Sequence, residues 1–183
     1  MEFSWVTSMI LKIFNNKALR IALDIDDTIV SFSEQFFNKF PFVNPKDNYA
    51  ITKQVWALRH SGDFWENLSL LERPIGFEPT IYSTKRVNSK QFTRTNLIKL
   101  GLPIKPIYQT YTQSGNKADK IKGHCDLLID DSIYNVKQAL TVGFPAICIS
   151  RPHNLYDNSV PRIERLHIDD IIDVYNKVII SLL

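Results

Sequence analysis

Two short apolar segments of this chain, residues 21–25 and 126–130, each lead into a cluster of acidic side chains. Segments this short and this rich in aliphatic residues are typical of buried β-strands. The acids then fall at the point where each strand ends. If the strands are parallel, these ends share one edge of the sheet, which is where α/β proteins form their sites.

Three further segments have the same character, namely 79–84, 104–108 and 146–150. Helix-like segments separate the later strands and close the chain, at residues 89–100, 116–123, 133–142 and 169–183. Strands that alternate with helices imply right-handed crossovers. The sequence therefore predicts an α/β fold with a Rossmann-like, mostly parallel sheet sandwiched by helices.

Residues 31–74 interrupt this alternation between the first two strands. The segment is rich in aromatic side chains, namely Phe32, Phe36, Phe37, Phe40, Phe42, Tyr49, Trp56, Phe64 and Trp65. We interpret it as a small helical cap that covers the strand ends, because it follows the first acidic cluster directly. The predicted organisation is an N-terminal extension over 1–18, a core formed by 19–30 and 75–183, and the cap over 31–74.

The acids at the strand ends suggest a bound cation. Asp24, Asp26 and Asp27 form the first cluster, and Asp130 and Asp131 form the second. Carboxylates held close together beside an apolar strand are unfavourable unless positive charge binds between them. Mg²⁺ prefers oxygen ligands of this kind. Two acids spaced two apart in an extended chain lie on the same side, so one can attack a substrate while the other handles a proton.

A threonine and a lysine complete this pattern. Thr84 ends the second predicted strand, and Lys117 opens the short helix before the fourth. A hydroxyl and an ammonium group both suit phosphoryl oxygens. Each residue alone indicates nothing, but the ordered series Asp-x-Asp, Thr, Lys, Asp-Asp at strand ends and helix starts is far more specific.

Over roughly residues 19–152, these four motifs resemble those of the haloacid-dehalogenase (HAD) superfamily of phosphohydrolases. The resemblance implies a HAD-like core and makes Asp24 a nucleophile that forms an aspartyl-phosphate. It makes Asp26 the residue that protonates the leaving oxygen and then activates water. Thr84 and Lys117 are expected to bind the phosphoryl oxygens.

The same resemblance implies a magnesium site. Its expected ligands are Asp24, the backbone carbonyl of Asp26, and Asp130, while Asp131 is expected to orient Lys117 or a metal-bound water. Dehalogenases of the superfamily lack the second acid, and its transport ATPases carry threonine there. An aspartate at position 26 therefore favours hydrolysis or mutase chemistry.

Four stretches, residues 63–68, 84–86, 117–136 and 151–154, are similar to the cytosolic 5'(3')-deoxyribonucleotidase family and its bacterial and phage relatives. This resemblance implies a nucleoside monophosphate as substrate. The chain differs in its shorter cap and in Lys85, where the family places a small residue between Thr84 and Arg86. Asp27, Lys85 and Arg86 are candidate substrate contacts, although Arg86 also suits a salt bridge with a nearby acid.

Aromatic residues of the cap suit a flat base. Trp56 and Trp65, with Phe32 or Phe36, are candidates for stacking on one, although aromatic side chains in a small cap usually form its core. His153 follows the last predicted strand and is expected near the mouth of the site or simply on the surface.

Two alternative functions remain open. The first is a phosphatase that acts on nucleic-acid ends, with backbone contacts from Lys85, Arg86, Lys90, Arg94, Lys120 and Lys122. The low net charge of +3 and the spread of these cations favour an ordinary solvated surface instead. The second is a catalytically silent binding module, against which the complete set of motif residues argues.

The remaining predictions concern the cysteines, the cellular location and membrane contacts. Cys125 and Cys148 lie in or beside apolar runs and belong to no CxxC pair, which predicts two buried, reduced thiols. Such thiols fit a cytoplasmic protein. The sequence contains no apolar stretch long enough to span a bilayer and no basic segment typical of a signal peptide, so no membrane partner is expected. The oligomeric state is left open.

Overall fold

A computed structural model describes residues 18–88, 90–110 and 115–182. Six parallel strands form one sheet in the order β3-β2-β1-β4-β5-β6. The strands are β1 (Ile21–Asp24), β2 (Ile81–Thr84), β3 (Ile107–Gln109), β4 (Leu127–Asp130), β5 (Ala146–Ile149) and β6 (Arg162–Ile163). The predicted parallel α/β fold is confirmed, and the strands that end in Asp24 and Asp130 are neighbours.

Seven α-helices accompany the sheet in the described residues: α1 (Phe32–Lys39), α2 (Asn48–Ala57), α3 (Gly62–Glu66), α4 (Lys90–Lys99), α5 (Lys117–Ile121), α6 (Ile133–Thr141) and α7 (Ile168–Leu182). A short 3₁₀-helix, Leu58–His60, links α2 to α3. The first three α-helices lie between β1 and β2, so the insertion is helical as predicted. None of the helices in the described part of the chain is both long and apolar enough to cross a membrane.

Side chains alternate between two apolar layers along each strand. In β1, Ile21 and Leu23 join one core cluster, whereas Ala22 joins the other. The first cluster includes Ile171 and Tyr175 of α7, and the second includes residues of α5 and α6. Because both faces of the sheet are covered, the ends of its strands are the natural place for polar chemistry.

The insertion shares the first of these apolar layers. Phe36 of α1, Trp65 of α3 and Leu68 are buried in the same cluster as Leu23 and Ile129 of the sheet. The insertion is therefore fixed to the sheet by apolar packing as well as by its two connections. Its position as a cap over 31–74, and the other domain boundaries, stay predictions. Residues 1–17 of the predicted N-terminal extension lie outside the described part of the chain.

Two differences from the predicted strands have simple causes. β3 begins at Ile107, three residues later than expected, because Ile104 is exposed and Pro106 has no N–H to contribute to a ladder. The sixth strand was not predicted. With only two residues, Arg162 and Ile163, β6 is too short to show a periodic pattern, and it pairs at the edge of the sheet with β5.

Candidate active site

Three charged side chains from different elements meet at the carboxyl edge of the sheet. Asp24 ends β1, Asp130 ends β4, and Lys117 opens α5. The ammonium group of Lys117 donates hydrogen bonds to Asp24 Oδ1 and, at 2.7 Å, to Asp130 Oδ2. All three side chains are almost completely buried, with 6% exposure or less. The structure therefore brings together three residues that the sequence analysis named as candidate site residues.

The second acidic pair is held by the loop and helix that follow it. Asp130 Oδ1 accepts hydrogen bonds from the backbone N–H of Ser132 and from Asn135 Nδ2, both at 3.0 Å. Asp131 Oδ2 lies 2.8 Å from His153 Nε2. Asn154 Nδ2 donates to the carbonyl of Asp131 at 2.7 Å. The 151–154 segment thus reaches the site, and His153 contacts Asp131 there while remaining partly exposed.

Burial and the neighbouring charges have opposite effects on the pKa values of Asp24 and Lys117. Burial raises the pKa of the Asp24 carboxyl well above its ordinary range, and the positive charge of Lys117 opposes this shift. Burial also acts to lower the pKa of Lys117, but the carboxylates of Asp130 and Asp24 outweigh it and raise that pKa above its ordinary value. A cation bound beside these carboxylates would favour their ionised forms further.

The loop after β1 is shaped by Asp27, whose φ of 55° lies in the left-handed region. Its side chain accepts hydrogen bonds from the backbone N–H of Ser33 at 2.8 Å and from the Ser33 hydroxyl. Asp27 was predicted as a substrate contact, and the structure instead places its carboxylate on the first turn of α1. There it fixes the path by which the chain leaves the site.

Arg151 also holds this loop, a role that sequence analysis did not identify. Its guanidinium donates to the carbonyls of Asp27 and Thr28 at 2.9 Å and 2.7 Å, and to Glu72 Oε2 at 2.7 Å. The hydroxyl of Thr28, in turn, lies 3.3 Å from Asp24 Oδ2. Arg151 belonged to a stretch noted for its family resemblance, but only the packed structure shows which carbonyls it reaches.

Asp26 lies apart from the Lys117 cluster, in a salt bridge with Arg86. Arg86 Nε and Nη2 contact the Asp26 carboxylate at distances of 2.7 to 3.0 Å. Thr84, the last residue of β2, places its hydroxyl 3.5 Å from Asp26 Oδ2 and accepts the backbone N–H of Arg86. Of the roles considered for Arg86, the structure shows pairing with an acid.

The two candidate tryptophans have different environments. Trp65 is 1% exposed, stacks on Phe32 with ring centroids 5.7 Å apart, and lies 5.3 Å from the guanidinium carbon of Arg86. A base could stack on Trp65 only by displacing one of these neighbours, so its packing is that of a core residue. Trp56 on α2 is 47% exposed, and its ring remains accessible.

A cleft of about 620 Å³ lies between the insertion and the core beside this edge. It is lined by Asn48, Ile51, Thr52, Lys85, Ser132, Tyr134 and Asn135. Asn48 and Thr52 are four residues apart on α2, and Trp56 continues the same helical face one turn further. Ser132 and Asn135 connect the cleft to Asp130 by hydrogen bonds. Lys85, another predicted substrate contact, therefore lies in a cleft next to the acidic cluster.

The residues that the structure brings together fit a hard divalent cation. Asp24, Asp130 and Asp131 each offer an oxygen, and these oxygens all lie within 4.8 Å of one another. Carboxylate oxygens are the ligands that Mg²⁺ prefers, and few protein ligands are needed because waters and substrate complete its shell. The Asp26 carboxylate does not join this group. The prediction for Asp26 concerned its backbone carbonyl, and that prediction stays open.

Comparisons with known proteins agree with this fold. In comparisons by sequence, no family profile and no curated protein matches the chain. Among solved structures, the magnesium-bound orthorhombic form of YfnB from Bacillus subtilis, described as a HAD-hydrolase, aligns with 87% of this chain and 100% of its own. The TM-score is 0.51 and the sequence identity 15%. The fold of this chain is HAD-like.

A HAD-superfamily hydrolase from Ehrlichia chaffeensis is also similar, with 89% of this chain and 96% of that chain aligned at 11% identity and a TM-score of 0.44. The likeness to YfnB, at 15% identity, concerns the fold and not the reaction. The chemistry available to a chain with this fold therefore depends on the cluster of Asp24, Lys117, Asp130 and Asp131.

Proposed function

We propose that this chain is a magnesium-dependent phosphatase that hydrolyses a phosphate monoester through an aspartyl-phosphate on Asp24. The observation that carries the proposal is the meeting of Asp24, Asp130 and Asp131 with the buried Lys117 at one edge of a HAD-like sheet. This arrangement pairs a carboxylate nucleophile with positive charge for phosphoryl oxygens, which is the main requirement of phosphoryl transfer.

Magnesium would be held by Asp24, Asp130 and Asp131, and it supplies positive charge that stabilises the phosphoryl oxygens. An oxygen of Asp24 attacks phosphorus, and the bond from phosphorus to the leaving oxygen breaks. Asp26, protonated when the ester binds, gives its proton to that oxygen, and its carboxylate then pairs with Arg86 as in the structure. Asp26 then accepts a proton from water, whose oxygen attacks phosphorus, breaks the bond to Asp24 and releases phosphate.

The remaining residues position these groups. Lys117 neutralises phosphoryl charge from its place between Asp24 and Asp130. Thr84 offers its hydroxyl to a phosphoryl oxygen, and Arg86 keeps the Asp26 carboxylate at a fixed orientation. The proposed substrate is a small phosphorylated molecule, a nucleoside monophosphate, because the accessible cleft beside the site has aromatic surface from Tyr134 on one side and the helix of Trp56 on the other.

The test is release of inorganic phosphate from an aryl phosphate, nucleoside monophosphates, sugar phosphates and phosphorylated oligonucleotides, with Mg²⁺ and with excess chelator. We expect turnover only with Mg²⁺ and the highest kcat/KM for nucleoside monophosphates. Preference for oligonucleotide ends would instead support the nucleic-acid alternative. No release from any ester, by folded protein with Mg²⁺, would support the silent binding module.

A further inference from the structure

One arginine reaches across the sheet to the loop that follows Asp24. Arg151 follows β5, and in the strand order β1-β4-β5 the strand β4 separates it from β1. Adjacent strands are about 4.8 Å apart, so this separation is about 10 Å, which a long arginine side chain can span. Arg151 Nε donates to the carbonyl of Asp27 at 2.9 Å, and Nη2 donates to the carbonyl of Thr28 at 2.7 Å. The guanidinium therefore holds two consecutive carbonyls of the loop after β1.

The same short segment also holds the second acidic pair. The buried Asn154 donates from Nδ2 to the carbonyl of Asp131 at 2.7 Å. Arg151 and Asn154 are joined to each other by two hydrogen bonds. The N–H of Arg151 donates to Asn154 Oδ1 at 3.0 Å, and the N–H of Asn154 donates to the carbonyl of Arg151 at 2.9 Å. The turn over 151–154 is thus one hydrogen-bonded unit with a side chain on each acidic loop.

The position of the first loop affects the carboxylates because of Thr28. Its hydroxyl, on a fully buried residue, lies 3.3 Å from Asp24 Oδ2 and 3.4 Å from Asp131 Oδ1. Arg151 holds the carbonyl of this same residue. A shift of the loop would therefore move a hydroxyl that contacts two of the three carboxylates able to hold a cation. Loss of a residue that orients metal ligands typically weakens metal affinity by about 10- to 100-fold.

Glu72 extends this arrangement to the insertion. Its Oε2 accepts a hydrogen bond from Arg151 Nη2 at 2.7 Å, and its Oε1 accepts the N–H of Leu166 at 2.6 Å. The preceding residue, Leu71, donates its N–H to the carbonyl of Ile29, so this end of the insertion also contacts the loop after β1. Because each oxygen of Glu72 has its own donor, the carboxylate is fixed and in turn orients the guanidinium.

We propose that Arg151 is a positioning residue, which sets the spacing of the Asp24 and Asp131 carboxylates by holding the loop after β1. The inference rests on the proposed function, because these carboxylates are its magnesium ligands. It also predicts the sign of an effect. A positive charge near the site repels a cation, so loss of the charge alone would strengthen Mg²⁺ binding. Loss of the correct spacing would weaken it.

The test is Mg²⁺ titration of the full chain by isothermal calorimetry, at a temperature at which circular dichroism shows each variant to be folded. We expect Arg151→Met to raise the Kd for Mg²⁺ by at least about tenfold. Arg151→Lys keeps the charge but not the planar group that contacts both carbonyls, so it should also raise Kd. Arg20→Met is the matched control and should keep the wild-type Kd. Arg20 likewise donates to a carboxylate, Asp126, and to the carbonyl of Gly123, but before β1, at the opposite edge of the sheet.

A double-mutant cycle tests the route through Thr28. Thr28→Val removes the hydroxyl that contacts Asp24 and Asp131. If Arg151 acts by placing this residue, Arg151→Met should raise Kd much less in the Thr28→Val background than in wild type. Fully additive effects of the two substitutions on the binding free energy would overturn the proposal.

The outcomes separate this inference from the proposed function. A purely structural role of Arg151 would lower Tm but leave the Kd of the folded variants unchanged, and an unchanged or lower Kd refutes the positioning role alone. If wild type binds Mg²⁺ but releases phosphate from no ester, the phosphatase proposal fails, and the Kd values still decide the role of Arg151. If wild type binds no Mg²⁺, both fail. Arg151→Lys supplies the comparison if Arg151→Met does not fold.

Discussion

Two nitrogens of Arg86 contact the carboxylate of Asp26 at distances of 2.7 to 3.0 Å, and the Arg86 side chain is fully buried. Trp65 covers the guanidinium on one side, and Thr93 Oγ1 accepts a third hydrogen bond at 3.1 Å. A planar guanidinium fixed in this way sets both the position and the rotation of the carboxylate. Trp65 belongs to the insertion, so the insertion packs against the residue that orients Asp26.

We predict that Arg86→Lys lowers kcat by at least about tenfold without altering Mg²⁺ affinity. Lysine keeps the charge but cannot form the two-nitrogen contact, so Asp26 loses its fixed orientation while the Asp24, Asp130 and Asp131 cluster is intact. Steady-state kinetics and Mg²⁺ titration by calorimetry measure the two effects. Wild-type kcat in a folded Arg86→Lys protein would show that the orientation of Asp26 is unimportant.

Asp24→Asn should reduce turnover to less than about one hundredth of wild type, because an amide cannot serve as the nucleophile. The substitution is nearly isosteric, so the fold should persist, as circular dichroism can verify. Asp126→Asn is the matched control, since Asp126 lies beside the opposite end of β4, where it pairs with Arg20. Turnover near that of wild type in folded Asp24→Asn would remove Asp24 from the mechanism.

Mg²⁺ should be required for activity and should also stabilise the fold. Three carboxylate oxygens within 4.8 Å repel one another, and binding of a cation by the native state alone raises stability by about 2.7 kcal/mol at a hundredfold excess over Kd. Ca²⁺ should substitute poorly, because it prefers more ligands at longer distances.

Differential scanning calorimetry with Mg²⁺, Ca²⁺ or chelator measures the stabilisation, and phosphate release measures the requirement. Asp131→Asn removes one ligand while leaving the Lys117 contacts in place, so its Tm should rise less with Mg²⁺. An equal rise in wild type and variant would place the cation elsewhere, and full activity in excess chelator would end the metal proposal.

The meeting of Asp24 and Asp130 at one edge of the sheet was predictable because its signals are local. An apolar segment that ends in acids appears twice, at Asp24 and at Asp130, and neighbouring parallel strands bring such ends together. The fold follows from the same alternation of strands and helices. Residues 60 positions apart in the chain, such as Asp26 and Arg86, give no local signal that they form a salt bridge. Their pairing depends on how β1 and β2 align and on what packs above them.

The tryptophans of the insertion show a second limit of prediction from the sequence. Trp56 and Trp65 look alike in the sequence, yet Trp65 lies on the five-residue helix α3, which is too short for a periodic pattern to reveal its buried face. Asp27 is similar. Its carboxylate accepts a hydrogen bond from Ser33 at the start of α1, and Asp27 itself lies in a left-handed turn that the sequence does not reveal.

Cys125 and Cys148 should react slowly with alkylating reagents in the native protein. Both are free and buried, as predicted, and burial raises the pKa of each thiol to about 12. The thiolate is the reactive form, so its population at neutral pH is very small. Iodoacetamide labelling followed by mass spectrometry, with and without denaturant, measures this. Rapid labelling of the native protein would contradict the packing of these side chains.

Substitution of Trp65 should mainly lower the stability of the fold, and substitution of Trp56 should mainly change substrate selectivity. Trp65→Ala removes a fully buried ring, its stacking on Phe32 and the hydrogen bond from Nε1 to the carbonyl of Leu58, so it should lower the free energy of unfolding by about 3–5 kcal/mol. Trp56→Ala should change it by about 1 kcal/mol or less, because the side chain is half exposed. Urea denaturation measures both values.

Trp56→Ala should instead change the ratio of kcat/KM between phosphate esters with different leaving groups, since Trp56 continues the α2 face that lines the cleft. A lost contact with a leaving group changes such a ratio by about 1–3 kcal/mol. Metal dependence should not change, because in the proposed mechanism the Asp24 cluster contacts only the phosphoryl group and the cation. If Trp56→Ala ranks a panel of esters in the wild-type order and ratios, that side chain does not contact the leaving group. A wider scan of residues 31–74 with the same result would remove the insertion as the element that selects substrates.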